Sequence, residues 1–395
     1  MPTTPLKNSL YHLALPLLAP SPRGRDNMRH SIHGDALVDM RGYERLLRRH
    51  HVLGASLLVR EGDRCCEVHT SVARPPHPCG EKTLFRVASI TKMATALAVL
   101  RLCDQGRLSL ETDVSTLLTG ADAWLKGVTV ERLLSHTSGL RDIPAVDEAL
   151  RDGLTLGELT AKADARALHP EGAEGAFAYC NLGYGLLGCV LEAVTGETMD
   201  AVFAREVFGP LAMRATLTPT SLPREDIMPI TRVLPHRGPD MVIPPLGLVP
   251  REAPDPQRHY GLTAGSLYTD AASLSHLLEM LSSGGLWRGE RYLPAETVAE
   301  MARPHATYGA DDPRLRYGLG LLIVEDAAIS PRRLIGHQGF AYGCADGAFY
   351  EEGTGRQVIF LNGGCSEARH GRFGQCNAEI LRFGLKQLNP KQPSA

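Results

Sequence analysis

Strand-type segments lie near both ends of this sequence, and tight turns join neighbouring segments. Residues 54–60 and 64–70 are connected by Glu61-Gly62-Asp63, a sequence typical of a hairpin turn. Near the other end, the strand-type segments are residues 317–324, 333–337, 340–350 and 357–362, with Glu352-Gly353-Thr354-Gly355 as a turn between the last two. Because such short turns connect only antiparallel strands, the pattern predicts an antiparallel sheet assembled from both ends of the chain.

The residues between these strand-rich regions are predicted to be mostly helical. Apolar residues recur at helical spacing in 130–136 and 182–195, whereas residues 219–256 are proline-rich and aperiodic. We therefore predict an α+β fold, in which helices flank the sheet and a helical region is inserted into it. The predicted division is an N-terminal tail (1–33), an α/β part with the antiparallel sheet (34–88 plus 262–395) and a helical part (89–261), the last two forming one unit.

Composition excludes several classes of function. The 395 residues are 43% hydrophobic and 22% charged, with a net charge of -2, which gives no reason to expect a nucleic-acid partner. No apolar segment reaches the roughly 18 residues that span a membrane. Nine cysteines without metal-binding spacing indicate a reduced protein with no metal or cofactor. We expect a cytoplasmic location; export is the alternative, because Leu10–Leu18 is weakly similar to a signal peptide.

The segment 85–100, FRVASITKMATALAVL, changes from strand-type to helix-type sequence at Ser89. Residues three apart lie on one face of a helix, so Lys92 is expected beside Ser89. A serine hydroxyl becomes a good nucleophile when a neighbour takes its proton, and a lysine can do so once apolar burial has made it neutral. Ser-x-x-Lys alone also fits a surface helix whose two polar residues face solvent, so the context must decide.

Three further motifs supply that context. Tyr179-Cys180-Asn181 directly precedes a predicted helix, where Asn181 could also be an ordinary helix cap. The second is LLSHTSGL at residues 133–140, and the third is Gly336-His337-Gln338-Gly339 in the C-terminal strand cluster. Together with the Ser89 segment, and in this order, they resemble the serine β-lactamase-like superfamily, in its branch of class C β-lactamases, D-aminopeptidases and esterases, with penicillin-binding proteins as relatives. The resemblance extends from about residue 54 to about residue 385.

This resemblance implies a β-lactamase/transpeptidase-like fold and roles for individual residues. Ser89 is similar to the acylated nucleophile, Lys92 to its base partner and Tyr179 to the proton-relay tyrosine. Asn181 corresponds to the residue that holds the lysine and binds the substrate amide. His136, in the second motif, is similar to a structural histidine of the family.

The remaining expected site residues lie in the third motif. His-x-Gly occurs at His236, His259 and His337, and we select His337 because only it lies in a strand-type segment. Gly339 is expected to allow close approach of the substrate, and Phe340 to give its backbone N–H, with that of Ser89, to an oxyanion hole.

The leading hypothesis is a serine hydrolase that cleaves an ester, amide or D-amino-acid peptide bond in a small-molecule or peptide substrate. Alternatives are a β-lactamase, an acyltransferase and a catalytically silent binding homologue. Two departures weaken the β-lactamase alternative: a histidine where many relatives have lysine, and Cys180 where serine is common. Because histidine is mostly neutral at pH 7, substrates without a free carboxylate are expected to be preferred. The sequence specifies neither the deacylation base nor the oligomeric state.

Overall fold

The computed structural model of the protein describes residues 5–19, 27–234, 236–240, 251–258, 261–341 and 343–388. The α-helices of these residues are α1 (Pro5–Leu18), α2 (Met40–Arg49), α3 (Thr91–Asp104), α4 (Asp122–Leu125), α5 (Val130–Leu134), α6 (Pro144–Asp152), α7 (Leu156–Lys162), α8 (Ala165–Leu168), α9 (Asn181–Thr195), α10 (Met199–Phe203), α11 (Leu262–Gly265), α12 (Ala271–Ser282), α13 (Ala295–Ala302) and α14 (Gln375–Gln387). The strands are β1 (Met28–Gly34), β2 (Ala55–Glu61), β3 (Arg64–Val72), β4 (Phe85–Arg86), β5 (Ala215–Thr216), β6 (Ile230–Val233), β7 (His236–Asp240), β8 (Tyr268–Thr269), β9 (Leu286–Trp287), β10 (Glu290–Arg291), β11 (Ala306–Thr307), β12 (Leu315–Tyr317), β13 (Leu322–Val324), β14 (Leu334–Ala341), β15 (Cys344–Glu351), β16 (Gln357–Asn362), β17 (Arg369–His370) and β18 (Phe373–Gly374).

A nine-stranded sheet runs in the order β1-β3-β2-β16-β15-β14-β13-β12-β11. Every neighbouring pair is antiparallel. The two ends of the chain meet where β2 pairs with β16, which places Ala55 opposite Asn362. The prediction of an antiparallel sheet built from both ends is therefore confirmed, as is the α+β class.

Helices cover both faces of this sheet, and the alternation along β16 shows how. Ile359 and Leu361 belong to the hydrophobic cluster that contains the leucines of α12, whereas Val358 and Phe360 belong to the cluster that contains those of α14. Successive residues of a strand point to opposite faces, so α12 and α14 lie on opposite sides of the sheet. All six residues of β16 are buried as a result.

Helix α3 is the centre of the helical region. Eleven of its fourteen residues are buried, and its apolar side chains are distributed around the whole helix rather than along one stripe. A helix of this kind is stable only when other elements surround it completely. This packing takes Lys92, in the first turn of α3, out of contact with bulk water.

The interpretation of residues 1–33 as a tail is wrong for residues 28–33, which form most of β1. This strand pairs with β3 from Met28 opposite Val72 to Gly34 opposite Cys66. Its sequence, MRHSIHG, is mostly polar because β1 is an edge strand with four consecutive exposed residues at its end. Edge strands need little hydrophobic alternation, which removes the usual sequence signal.

Two long strand predictions are each divided in the structure. Residues 317–324 contain the end of β12 and all of β13, joined by a turn in which Gly318 N–H donates to Leu321 O. Residues 340–350 contain the end of β14 and most of β15, which pair as a hairpin. Glycine at 318, 320 and 343 allows these reversals, and Gly320 and Gly343 have positive φ angles of 76° and 101°.

The proline-rich segment 219–256 also contains strands, β6 and β7, which pair with each other. His236 therefore lies on a strand, contrary to the sequence-based argument that only His337 does. His259 lies outside the described residues. None of the nine cysteines, all of which are described, forms a disulfide, and none of the described helices has the length and apolar character needed to cross a bilayer.

Candidate active site

Ser89 lies in a single 3-10 turn, Ala88–Ile90, between β4 and α3. Ala88 has a φ angle of 44°, which is uncommon for a residue other than glycine and marks a constrained backbone. Thr91 stabilises the turn, because its hydroxyl donates to Ala88 O at 2.5 Å and accepts from Leu267 N–H at 3.0 Å. The half-buried Ser89 side chain is thus presented by a rigid turn.

The amine of Lys92 is surrounded by three oxygen acceptors. Lys92 Nζ lies 3.1 Å from Ser89 Oγ, 2.9 Å from Asn181 Oδ1 and 2.8 Å from Ala264 O in α11. Burial lowers the pKa of Lys92 to about 7, although the Asp142 carboxylate opposes the change. A substantial fraction of Lys92 is therefore neutral near pH 7.

This arrangement gives the neutral amine one orientation. A neutral amine has two N–H donors and one lone pair, and two of its three neighbours, Asn181 Oδ1 and Ala264 O, can only accept. The lone pair must therefore point to Ser89 Oγ, the remaining neighbour, whose hydroxyl can donate. The geometry places a proton acceptor directly on the serine hydroxyl.

Tyr179 also faces Ser89, whose side chain lowers the pKa of the phenol and so partly opposes the effect of burial. Burial raises the pKa of Tyr179 above its usual range, so the group is a protonated phenol near neutral pH rather than a phenolate. Lys92 Nζ lies 4.9 Å from the centre of the Tyr179 ring. Tyr179 can therefore pass a proton to or from Ser89 by exchanging it with its neighbours, but it does not carry a negative charge.

His136 holds Tyr179 in place. Their ring centroids are 4.3 Å apart, and His136 Nδ1 accepts a hydrogen bond from Cys180 N–H at 3.2 Å. Burial lowers the pKa of His136 well below its usual range, which keeps the imidazole neutral. These contacts agree with a structural histidine.

Asn181 is the first residue of α9, and its side chain lies between Lys92 and an aspartate that the sequence did not identify. Its Oδ1 accepts from Lys92, while its Nδ2 donates to Asp142 Oδ2 at 3.0 Å. The alternative of a simple helix cap is not what the structure shows, because the Asn181 side chain bonds Lys92 and Asp142. Asp142 belongs to no motif, so nothing in the sequence distinguishes it from other loop aspartates.

His337 lies on β14, and the residue is 2% exposed. Its Nδ1–H donates to Gln338 O at 2.7 Å, which leaves Nε2 to accept from the Tyr317 hydroxyl at 3.0 Å. Burial and the nearby Lys92 lower the pKa of His337 to about 3. His337 is therefore uncharged, and both of its ring nitrogens form hydrogen bonds within the protein. Neither nitrogen is available to bind a substrate carboxylate.

Gly339 and Phe340 lie where β14 passes the serine turn. A Cβ atom on Gly339 would be 2.3 Å from Val87 O, so the close approach that glycine permits is to the backbone before Ser89 rather than to substrate. Glu352 N–H donates to Arg333 O, in register with the pairing of β14 and β15. Because backbone groups of successive strand residues point to opposite sides, the backbone N–H and C=O groups of the odd-numbered residues of β14 bond to β15. Those of the even-numbered residues point toward β13. Since β13 pairing ends at Gly336, no β13 residue lies opposite Phe340, which lines both cavities near Ser89.

Two cavities meet at Ser89. One, of about 450 Å³, is lined by residues that include Asn181, Leu182, Leu262 and Phe340. The other, of about 510 Å³, is lined by residues that include Tyr179, His337, Arg369 and Arg372. Ser89, Asp142 and Phe340 line both. The site therefore has separate space on two sides of the serine, and arginines that sequence reasoning did not identify line both cavities, among them Arg141, Arg369 and Arg372 in the second.

Among the described residues, one group brings three potential metal ligands within 4.8 Å of one another: Glu131, Glu300 and His305. His305 lies 3.3 Å from Glu131 and 3.2 Å from Glu300, and Glu300 is also paired with Arg303. The contacts of the three side chains with one another and with Arg303 already use their polar atoms, so the group forms a local polar network. It lies outside both cavities.

Known proteins share both sequence and fold with this chain. Penicillin-binding protein 4 of Amycolatopsis lactamdurans is 31% identical over 66% of this chain and 67% of that protein. Esterase EstB of Burkholderia gladioli is 30% identical over 72% of this chain and 79% of that protein. A further relative, Protein flp of Staphylococcus aureus, is 30% identical, but the match spans only 36% of its length.

The structure of a D-stereospecific amidohydrolase from a Streptomyces species superposes with a TM-score of 0.63 at 25% identity, covering 84% of this chain and 96% of that one. The family model described as Beta-lactamase matches residues 26–361, which is most of the sequence. The chain therefore belongs to the Beta-lactamase family and is a hydrolase of that family.

Proposed function

We propose that the protein is a serine hydrolase that forms an acyl-enzyme on Ser89 and releases the acyl group to water. The observation that carries this proposal is the environment of Lys92 Nζ, where two obligate acceptors direct the lone pair to Ser89 Oγ. A pKa of about 7 allows this amine to act as a general base near neutral pH. Metal or cofactor chemistry is not required for this step.

In the acylation step, Ser89 Oγ bonds to the substrate carbonyl carbon while its proton moves to Lys92 Nζ. The carbonyl oxygen becomes an oxyanion, which the backbone N–H groups of Ser89 and Phe340 stabilise. The bond to the leaving group then breaks, and Tyr179 returns the proton from Lys92 to the departing oxygen or nitrogen. Water repeats the sequence to release the acid and restore Ser89.

We assign Asn181 to the binding of the substrate amide or ester and to the orientation of Lys92, and His337 to the support of the strand that carries Phe340. The two cavities support a substrate with substantial groups on both sides of an ester, amide or D-amino-acid peptide bond. β-Lactam hydrolysis and acyl transfer are the alternatives within this mechanism. His337 offers no cation to a carboxylate; on that side the cations belong to Arg141, Arg369 and Arg372.

We also propose that the sheet part (34–88 plus 262–395) and the helical part (89–261) form one catalytic unit. A shared hydrophobic cluster supports the proposal that the two parts form one unit. The cluster contains Leu58 and Ile359 of the sheet together with Leu97 of α3 and Leu187 of α9. The catalytic groups would then come from both parts. The helical part contributes Ser89, Lys92, Tyr179 and Asn181, and the sheet part contributes Phe340.

The experiment is to treat wild-type protein and Ser89→Ala with a fluorophosphonate probe and with p-nitrophenyl butyrate. Ser89→Ala should lose covalent labelling and at least about three orders of magnitude of kcat/KM, since loss of a nucleophile has effects of this size. Ser282→Ala is the matched control, because its hydroxyl donates to Glu279 O within α12 and lines neither cavity at Ser89. Normal labelling of pure, folded Ser89→Ala would overturn the proposal.

A further inference from the structure

We propose that Asp142 is a positioning residue for acylation: its carboxylate fixes the first turn of α9 and the orientation of the Asn181 amide, and thereby aims the Lys92 amine at Ser89. The inference rests on the proposed function of Ser89 and Lys92. It concerns how those groups are held, and it assigns no contact with substrate to Asp142.

The carboxylate of Asp142 caps α9 from a distant part of the chain. The residue before the helix is Cys180, whose side chain makes no capping hydrogen bond. Asp142 supplies the missing acceptors: its Oδ2 accepts from Asn181 N–H at 2.9 Å and its Oδ1 from Leu182 N–H at 2.9 Å. A negative charge at the start of a helix is also favoured by the helix dipole. The start of α9 is therefore held by a residue 39 positions earlier in the chain.

The same carboxylate determines which end of the Asn181 amide faces Lys92. Asn181 Nδ2 donates to Asp142 Oδ2 at 3.0 Å, which leaves Oδ1 to accept from Lys92 Nζ at 2.9 Å. If the amide were reversed, its oxygen would face the carboxylate, which is repulsive, and its Nδ2 would donate to the lone pair of the neutral Lys92 amine. Asp142 thus excludes the orientation in which Asn181 no longer directs the lone pair of Lys92 to Ser89.

Asp142 is also the charge that favours the ammonium form of Lys92. The other titratable groups that face Lys92 are the Cys180 thiol, whose pKa burial raises, the phenols of Tyr179 and Tyr184, and the imidazoles of His136 and His337, whose pKa values burial lowers. All of these groups are neutral near pH 7. Removing the Asp142 charge should therefore lower the pKa of Lys92 further.

A direct role of Asp142 as the base for deacylation fits the geometry less well. Each of its carboxylate oxygens already accepts two hydrogen bonds: Oδ2 from the main chain and side chain of Asn181, and Oδ1 from Leu182 N–H and from the Cys180 thiol at 3.4 Å. A carboxylate has about four acceptor positions, and these four donors occupy them, so none is left to take up a proton from water. This alternative gives a distinct kinetic result.

The test measures the pre-steady-state burst and the pH profile of kcat/KM for p-nitrophenyl acetate in wild type, Asp142→Ala and Asp142→Asn. Asp113→Ala is the matched control, because the Asp113 carboxylate likewise accepts several hydrogen bonds, from Ser115 N–H, Ser115 Oγ and Gly127 N–H, but lines neither cavity at Ser89. Circular dichroism checks folding, and Asp142→Asn, which keeps the side-chain volume, serves if the alanine variant unfolds.

We expect the acylation rate of Asp142→Ala to fall about 100-fold, the usual effect of misplacing a catalytic group by about 1 Å. The acid limb of the pH profile should move to lower pH in both Asp142 variants and stay in place in Asp113→Ala. Wild-type acylation rates with an unmoved acid limb in both Asp142 variants would overturn the inference, as would a normal burst followed by accumulation of acyl-enzyme, the sign of a deacylation base. If wild type itself fails to acylate Ser89, the proposed function is what has failed.

Discussion

The helical and strand sides of the site each contain a buried base, and the two bases have different surroundings. Of the three oxygens around Lys92 Nζ on α3, Ser89 Oγ is the one that can also donate a hydrogen bond. The pKa of Lys92 is about 7. His337 on β14 is almost as completely buried, but both of its nitrogens are bonded within the protein, and its pKa is about 3. Burial alone therefore does not produce a reactive base. The pattern of hydrogen bonds determines whether a lone pair reaches the reacting atom.

The largest effect is expected from Lys92→Arg, which tests whether Lys92 acts as a proton acceptor. Arginine keeps the positive charge but cannot give up its proton, so Lys92→Arg should lose about three orders of magnitude in kcat/KM, nearly as much as Lys92→Ala. The measurement is ester hydrolysis at pH 8, with the exposed Lys162→Arg as the control. If Lys92→Arg kept most of its activity, Lys92 would act only as a charge, and the proton would have to go to Tyr179.

Gly339→Ala tests the strand side through its packing. A Cβ at this position would be 2.3 Å from Val87 O, so β14 must move away from the serine turn, at a cost of about 1–3 kcal/mol in unfolding free energy. The movement should also take the Phe340 N–H away from the oxyanion and lower kcat more than it raises KM.

Urea unfolding and steady-state kinetics measure both effects. Gly80→Ala is the control, because a Cβ there would meet nothing within 4 Å. A fully stable Gly339→Ala with unchanged kcat would show that the contact with Val87 is not needed to place β14.

The smallest effect is expected from His337→Gln, and it depends on pH. The folded-state pKa of His337, about 3, lies below the ordinary value near 6.5, so only the unfolded state gains this proton as the pH falls through that range. The contribution of neutral His337 to the unfolding free energy is therefore complete above pH 6.5. It decreases as the pH falls from 6.5 toward 3, by up to about 1.4 kcal/mol per pH unit.

His337→Gln should flatten the decline in unfolding free energy between pH 6.5 and 4, and should affect kcat/KM at pH 8 far less than Lys92→Arg does. Urea unfolding at several pH values measures this, with the half-exposed His33→Gln as the control. An unchanged acid decline would mean that His337 is not held neutral in the folded protein.

The features that could be predicted from sequence are those that depend on local patterns. The two hairpin turns, the helix after Ser89 and the proximity of Ser89 and Lys92 follow from turn residues and helical spacing. The edge strand β1 could not be found, because its residues face solvent and lack alternation. The division of residues 317–324 into two strands could not be predicted. The short apolar strands before Gly318 and after Gly320 are so close in sequence that they have the pattern of one continuous strand.

The features that could not be predicted depend on partners that are distant in the chain. Asp142 acts on α9 across a separation that no motif spans, and the hydrogen bond between Tyr317 and His337 appears only when β12 and β14 lie in one sheet. Lys92 Nζ likewise depends on Ala264 O, a backbone atom without any sequence signal. Sequence patterns predicted Ser89 and Lys92 as reacting groups, whereas the hydrogen bonds around them appear only in the tertiary structure.

The pairing of β2 with β16 also has a consequence for biosynthesis. The ribosome completes the hairpin of β2 and β3, the Ser89 turn and helix α3 long before it adds the strand that fills the place beside β2. Until then the growing chain has an uncovered strand edge, a hazard for association with other chains. Phe340 is also added late, so a nascent chain that already contains Ser89 and Lys92 still lacks one of the two donors that we propose for the oxyanion hole.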